Sequence, residues 1–332
     1  MQQEHPFAQF IRILARGKTK TRDLTQDEAK QSMAMVLADK VTPEQLGAFL
    51  MLQRLKEESA EEIAGFVEAA QASFKLPANA PHVDLDWSSY AGKRKQLPWF
   101  LLSALVLVKS GVRIFMHGTE GHTEGRIYTR DALKQIGFPM TKSLDDASNA
   151  LEKSGFAYLS LEYLSPVFNH IIELKHILGL RSPIHTVARM MNPFKAPVVL
   201  QGIFHPTFMP KHQMAAKLLG QPHLAVFRGE GGEIECRPNK AFEVRTCHDG
   251  VLETENWPRL AKDSRQEVDE ELDISRLEAV WSGAINDDYA NAAIVGTIAV
   301  ALKSMQKADT VDVALKMADD MWQARDKANF RI

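Results

Sequence analysis

The sequence predicts an α/β protein: a small all-helical N-terminal domain, then a larger α/β domain with a central, mainly parallel sheet. Three observations predict it. Capped amphipathic segments follow one another through the first 80 residues. From about residue 81, short apolar runs of strand length alternate with helical segments, the pattern of a parallel sheet covered by helices. The length of 332 residues is enough for a sizeable core in one large or two modest domains.

The helical elements carry their own start signals. Phe7, Phe10, Ile11 and Leu14 follow the i, i+3, i+4, i+7 spacing of one buried face. Thr25-Gln-Asp-Glu28 is a capping box, in which each side chain satisfies an amide of the other residue. Thr42-Pro-Glu-Gln45 repeats it with Pro43 at the first helical position, where its missing N–H costs nothing. Ser59-Ala-Glu-Glu62 is a third. Val83–Leu85, Arg113–Met116, Val198–Ile203 and Leu224–Phe227 read as strands, with helices over 97–110, 128–136 and 210–219. Residues 145–190 read as helical and are expected to join the 1–80 domain, leaving 81–332 as the α/β domain. The stretch 229–280 is polar, acidic and turn-rich, and helices close the chain over about 287–304 and 309–327.

Composition excludes several classes. Charged residues make up 25% and hydrophobic residues 45%, ordinary for a globular protein in water. No apolar run reaches the roughly 20 residues of a membrane span, and the N-terminus lacks the cationic start and apolar core of a signal peptide. With Cys236 and Cys247 alone there is no disulfide framework, so the expected location is the cytoplasm. The net charge of −2 hides segregation: residues 88–142 carry nine Lys and Arg against three Asp and Glu, and 163–228 carry seven against one. Such blocks present a positive field locally in a chain that stays neutral overall.

A resemblance sharpens the reading. Asp23-Leu-Thr-Gln-Asp-Glu-Ala29, Thr42-Pro-Glu-Gln-Leu-Gly-Ala-Phe-Leu-Met51 and Glu61-Glu-Ile-Ala-Gly65 stand in the order found in anthranilate phosphoribosyltransferases. His117-Gly118, Leu178-Gly-Leu-Arg181 and Asn192-Pro193 match further elements. Over roughly residues 5–235 the chain resembles this family, glycosyltransferase family 3, which implies its two-domain fold and a homodimer formed through the helical domain. The donor site departs from the pattern. Where the family has Gly-Thr-Gly-Gly-Asp after the first strand, this chain has Trp87-Ser-Ser-Tyr-Ala-Gly92 and then Lys93-Arg94-Lys95. Glycine lets backbone approach phosphate without a Cβ in the way, so a snug pyrophosphate pocket is not expected. Thr119-Glu120 replaces the Asn-Arg after His117-Gly118. Lys175 stands where an arginine would grip the anthranilate carboxylate, losing bidentate geometry. The metal-binding Asp-Glu pair falls in Glu230-Gly-Gly-Glu-Ile-Glu235. These departures resemble the non-biosynthetic, nucleic-acid-binding branch of the family.

Nucleic-acid binding needs cations along a groove, because neutralising phosphates releases counterions whatever the base sequence. Four groups qualify: Arg16, Lys18, Lys20 and Arg22 after the first helix; Lys93, Arg94 and Lys95 at the old phosphate site; Lys109, Arg113, Arg126, Arg130 and Lys134 around the second strand; and Arg181, Arg189, Lys195, Lys211, Lys217 and Arg228 in the second positive block. Lys93–Lys95 is the strongest of these. Trp87 and Tyr90, among the cations, are candidates for base stacking. No catalytic residue, cofactor or metal is expected: His205, His212 and His223 are too widely spaced for a metal motif, and no Walker, zinc-finger or RNA-recognition pattern is present. The expected partner is therefore DNA or RNA, single- or double-stranded, bound without sequence preference and without a membrane. The alternative is a phosphoribosyl- or nucleoside-transferring enzyme with a remodelled donor site, relying on His117, Lys175 and Glu235 with a divalent metal. A protein-interaction scaffold is a third possibility and leaves the positive blocks unexplained.

Overall fold

The computed structural model describes residues 3–17, 19–119, 123–263, 268–269 and 271–331. Four helices open the chain: α1 (Ala8–Ala15), α2 (Gln26–Leu37), α3 (Pro43–Lys56) and α4 (Ala60–Ser73). The last three start on the expected reciprocal capping boxes, Thr25 with Glu28, Thr42 with Gln45 and Ser59 with Glu62. Phe7, Phe10, Phe49 and Phe66 meet edge to face at the centre of this bundle.

The second part is a seven-stranded sheet. Its strands are β1 (Leu85–Ser89), β2 (Ile114–Gly118), β3 (Phe156–Ser160), β4 (Val198–Ile203), β5 (His223–Arg228), β6 (Phe242–His248) and β7 (Val251–Trp257), in the order β3-β2-β1-β4-β5-β6-β7. The first five pair in parallel, and β6 and β7 add an antiparallel hairpin at one edge. Helices α5 (Phe100–Lys109), α6 (Thr129–Gln135) and α7 (Leu144–Ser154) lie between the first strands. The short helices α8 (Leu161–Leu164), α9 (Pro166–Glu173), α10 (Lys175–Leu178) and α11 (Ile184–Val187) follow β3, and α12 (Met209–Leu218) links β4 to β5. The chain ends in α13 (Ser275–Ser282), α14 (Asp288–Ser304) and α15 (Val311–Gln323).

Two apolar clusters divide the interior. One holds α5, α13, α14 and α15 against one face of the sheet. The other joins the N-terminal bundle to Ile171, Ile172, Ile184 and the opposite face, so the 161–187 helices share a core with the bundle. Among the described residues, no helix is long and apolar enough to cross a membrane.

Three expectations are corrected. Residues 145–190 are not all helical: Phe-Ala-Tyr-Leu-Ser of β3 is buried along its whole length, and so short an apolar run has no periodicity to separate strand from helix. The turn-rich stretch 229–280 contains the β6–β7 hairpin, turning at Asp249-Gly250 with φ of 47° and 81° as a two-residue hairpin turn requires. Trp87, Ser88 and Ser89 belong to β1 rather than to a loop.

Candidate functional site

The strand order fixes where a ligand can sit. From β1 the chain builds outward through β2 to β3, and from β4 it builds the other way to β5. The loops at the carboxyl ends of β1 and β4 therefore part, which opens a crevice where open α/β sheets bind ligands.

The loop after β1 is held closed from within. Gly92 has φ of 69°, and a Cβ there would stand 3.1–3.2 Å from Tyr128 and Arg126. Lys93 and Ile127 exchange backbone hydrogen bonds of 2.8 Å, tying the loop to the segment before α6. Arg126 donates to the Ala91 and Gly92 carbonyls at 2.8 and 3.1 Å. The successive N–H groups of Ala91 and Gly92 turn inward and form the concave donor pair that usually receives an anion. Glu233 fills it, accepting from Ala91 N at 2.7 Å and Gly92 N at 2.6 Å through Oε1, and from Ser89 Oγ at 2.7 Å through Oε2. The fit depends on glycine elsewhere: a Cβ on Gly202 or Gly229 would stand 2.0 or 1.6 Å from the Glu233 carbonyl oxygen.

A second anion position is filled in the same way. The Phe100 N–H, at the start of α5, donates to Glu235 Oε2 at 2.9 Å, a place where the helix dipole favours negative charge. Glu235 also pairs with Lys93, and both side chains are fully buried. Burial pushes the Glu235 carboxyl up to about 7, against the pull of Lys93 and of the Phe100 amide. Lys93, the leading candidate from the sequence, is thus committed inside the protein and does not reach the cleft. The aromatic candidates are corrected likewise. Trp87 is buried against Phe100, and Tyr90 is 1% exposed with its hydroxyl 2.7 Å from His117 Nδ1. Neither ring can stack on a base. His117 is held on its other side by Asp86 at 3.1 Å, so both of its ring nitrogens are engaged.

The rim is different. A cavity of about 280 Å³ is lined by Arg94, Lys95, Arg126, Arg228 and Arg237 with Glu230 and Phe204. A neighbouring one of about 150 Å³ is lined by Arg54, Arg181, Arg189, Glu58 and three histidines, and shares Phe204 as a wall. The Arg228 guanidinium lies 6.0 Å from the centre of the Phe204 ring, which is half exposed. Eight arginines and lysines thus surround one divided cleft, with Glu58 and Glu230 the acidic residues lining it. Their like charges interact: burial, then Arg126, pushes the Arg181 guanidinium down from its ordinary value, and Arg54 adds to this. Burial also pushes the Glu58 carboxyl up from its ordinary value, against the pull of Lys211 and Arg54.

Six of the cations singled out from sequence therefore converge: Arg94, Lys95, Arg126, Arg181, Arg189 and Arg228. The others do not. Arg22 makes a bidentate pair with Glu28 at 2.6 and 2.7 Å, Arg130 pairs with Glu162, and Lys211 pairs with Glu57. Lys109, Arg113, Lys195 and Lys217 stand where helices end or strands begin, at the opposite end of the parallel sheet. Lys109 donates to the Arg331 carbonyl there, and Arg113 lies 3.8 Å from Glu152. Arg16, Lys20 and Lys134 are exposed away from these cavities, and Lys18 lies outside the described residues. Arg54 and Arg237 were not anticipated: both lie outside the two positive blocks, in stretches where acidic residues offset the cations, and only the fold brings them to the cleft.

Phosphoribosyl pyrophosphate with Mg²⁺ does not fit this site as it stands, because the backbone cradle and the helix start already hold carboxylates. Among the described residues, no group of three or more His, Cys, Asp or Glu side chains is placed to hold a metal ion.

The fold and the sequence both have clear relatives. Residues 8–74 match the helical bundle domain of a glycosyl transferase family, and residues 100–324 match the α/β domain of that family. An anthranilate phosphoribosyltransferase of Geobacillus kaustophilus is 25% identical over 94% of this chain and 92% of its own length. Another, of Desulfitobacterium hafniense, is 30% identical over 66% of this chain and 65% of its own. Among solved structures, the Thermus thermophilus anthranilate phosphoribosyltransferase superposes with a TM-score of 0.75 at 19% identity, over 94% of each chain. The Saccharomyces cerevisiae enzyme in complex with phosphoribosyl pyrophosphate and Mg gives 0.76 at 15%, over 97% of this chain and 94% of that one. The chain belongs to glycosyltransferase family 3, with the anthranilate phosphoribosyltransferase-like fold.

Proposed function

We propose that this member of the family binds nucleic acid, DNA or RNA, along the cationic cleft without acting on it and without reading its sequence. One observation carries the reading: eight cations line the rim against the two carboxylates Glu58 and Glu230, the latter 3.7 Å from Arg237, while the inner anion positions are taken by Glu233 and Glu235. A cleft of that kind attracts polyanions from outside and has no vacancy for a pyrophosphate within. Phosphates passing Arg94, Lys95 and Arg228 would be neutralised with release of counterions, and the half-exposed Phe204 offers a stacking surface for an unpaired base. The reading includes a cytoplasmic homodimer formed through the helical domain, where Leu55 on α3 is 85% exposed; sedimentation of the purified chain measures it.

The test is a titration of protein freed of bound nucleic acid against unrelated single- and double-stranded oligonucleotides at two salt concentrations. Similar affinities that weaken steeply with salt are expected. No binding at low salt refutes the reading.

A second reading, phosphoribosyl or nucleoside transfer, is favoured by the relatives, which are named as transferases. It requires Glu233 or Glu235 to leave its place when the donor arrives. A rise in melting temperature with phosphoribosyl pyrophosphate and Mg²⁺ would support it, since a ligand bound to the native state alone must stabilise it.

A further inference from the structure

We propose that Glu233 is a built-in phosphate surrogate: its carboxylate plugs an oxyanion nest made by Ser89, Ala91 and Gly92, and its removal opens that nest to a phosphoryl group. The two amides and the hydroxyl approach the carboxylate at 2.6–2.7 Å, the range of charge-assisted hydrogen bonds. The donors are wholly inside the protein, where leaving an N–H without a partner is costly. A hydrogen-bond acceptor must therefore stay there for the loop to keep its shape.

The surroundings prepare the nest for negative charge. Ser89 Oγ is also in hydrogen-bond contact with Thr129 Oγ1, which frees its own proton for the anion. Arg189 lies near, and Glu233 is the neighbour that most opposes the lowering of its guanidinium by burial. Taking the carboxylate away leaves three donors facing an emptied space, with the charge of Arg189 acting from nearby. The fragment removed in Glu233→Ala has the size of acetate, and a tetrahedral phosphate is only slightly larger. The segment that carries the plug turns on Gly231 and Gly232, with φ of 66° and 95°, backbone conformations that L side chains rarely adopt. This inference does not depend on nucleic-acid binding: the nest lies inside the rim, and either can fail alone.

The experiment follows the melting temperature of wild type, E233A and E233Q in sodium phosphate, sodium acetate and sodium chloride at matched ionic strength. Gln keeps an oxygen for the two amides and an NH₂ for the Ser89 hydroxyl, so E233Q is expected to fold and to behave as wild type. E233A is expected to be stabilised by phosphate at millimolar concentration, with an affinity at least about tenfold tighter than that of wild type, and Ser89→Ala in the E233A background should weaken it. A folded E233A that ignores phosphate overturns the proposal. So does stabilisation by acetate alone, which would make the nest a carboxylate site only. An E233A chain that stays unfolded and is not recovered by phosphate overturns it as well, because the vacated nest then accepts no phosphoryl group.

Discussion

Replacing Arg94, Lys95 and Arg228 together by alanine should reduce the salt dependence of nucleic-acid binding in a way that the structure lets one calculate. All three are exposed on the wall of the larger cavity. Arg126, by contrast, holds the Ala91 and Gly92 carbonyls, and Arg189 donates to the His185 carbonyl, so altering either disturbs the loop as well as the charge. Each phosphate neutralised contributes about 0.9 to the slope of log K against log salt on a duplex and about 0.7 on a single strand. Losing three contacts should therefore make the slope shallower by about 2.7 on duplex and about 2 on single strands. Affinity should fall similarly for unrelated sequences, since none of these side chains is required to read a base. The comparison is a second triple variant, Lys109, Lys195 and Lys217 to alanine, which removes the same charge from the opposite end of the sheet. Fluorescence anisotropy at several salt concentrations measures both. An equal loss of slope in the two variants would mean that net charge, not the cleft, governs binding; an unchanged slope in the first would place the groove elsewhere.

Three further outcomes follow from single side chains. Phe204→Ala should leave the melting temperature nearly unchanged, because the ring is half exposed, while weakening single-strand binding by about 1–3 kcal/mol per stacked base, read by the same anisotropy titration. Lys93→Met should cost about 3–5 kcal/mol in urea unfolding by leaving Glu235 buried without its cation, with partial recovery on adding Glu235→Gln; a cost as small as that of exposed Arg94→Ala would contradict the buried pair. His212 is buried, with Nδ1 2.6 Å from Gln201 Oε1, and burial followed by Arg189 pushes it down to about 3 from an ordinary 6.5. Between those values the unfolded chain binds a proton that the native state refuses, so its contribution is whole above pH 6.5 and is lost as pH falls towards 3. His212→Gln should remove a slope of up to about 1.4 kcal/mol per pH unit from stability in that window, and identical pH profiles would refute it.

What the sequence disclosed follows a physical division. Elements defined by neighbours along the chain were legible: the capping boxes at Thr25, Thr42 and Ser59 lie within four residues each, and the structure forms all three. The Asp249-Gly250 turn was equally local and was passed over, because the strands it joins carry Glu243, Glu253 and Glu255 and read as a solvated surface. A sheet edge tolerates such residues, since it faces water and resists further pairing when charged. The charge blocks located six of the cleft's cations, yet said nothing about which of them would be neutralised. Lys93 and Arg94 are adjacent in the chain and have opposite fates, one buried against Glu235 and the other on the rim. That difference is set by a partner 142 residues away, which no local pattern encodes.

The glycine-poor loop after β1 and the glutamates after β5 answer one constraint. An inward-facing pair of amides cannot be left without an acceptor, whether or not a ligand is bound. If Trp87 and Tyr90 had simply crowded a phosphate out, the Ala91 and Gly92 N–H groups would face an apolar interior. The Glu233 carboxylate removes that difficulty, and Glu235 does the same for the first turn of α5. With both anion positions satisfied internally, the loop keeps the geometry of the family fold without needing a bound substrate. The rim cations are then the part of the site where positive charge outnumbers negative, eight side chains against Glu58 and Glu230. Arg181 shows this best: burial, then Arg126 and Arg54, pushes its guanidinium down, so on the proposed reading a polyanion entering the cleft would relieve it.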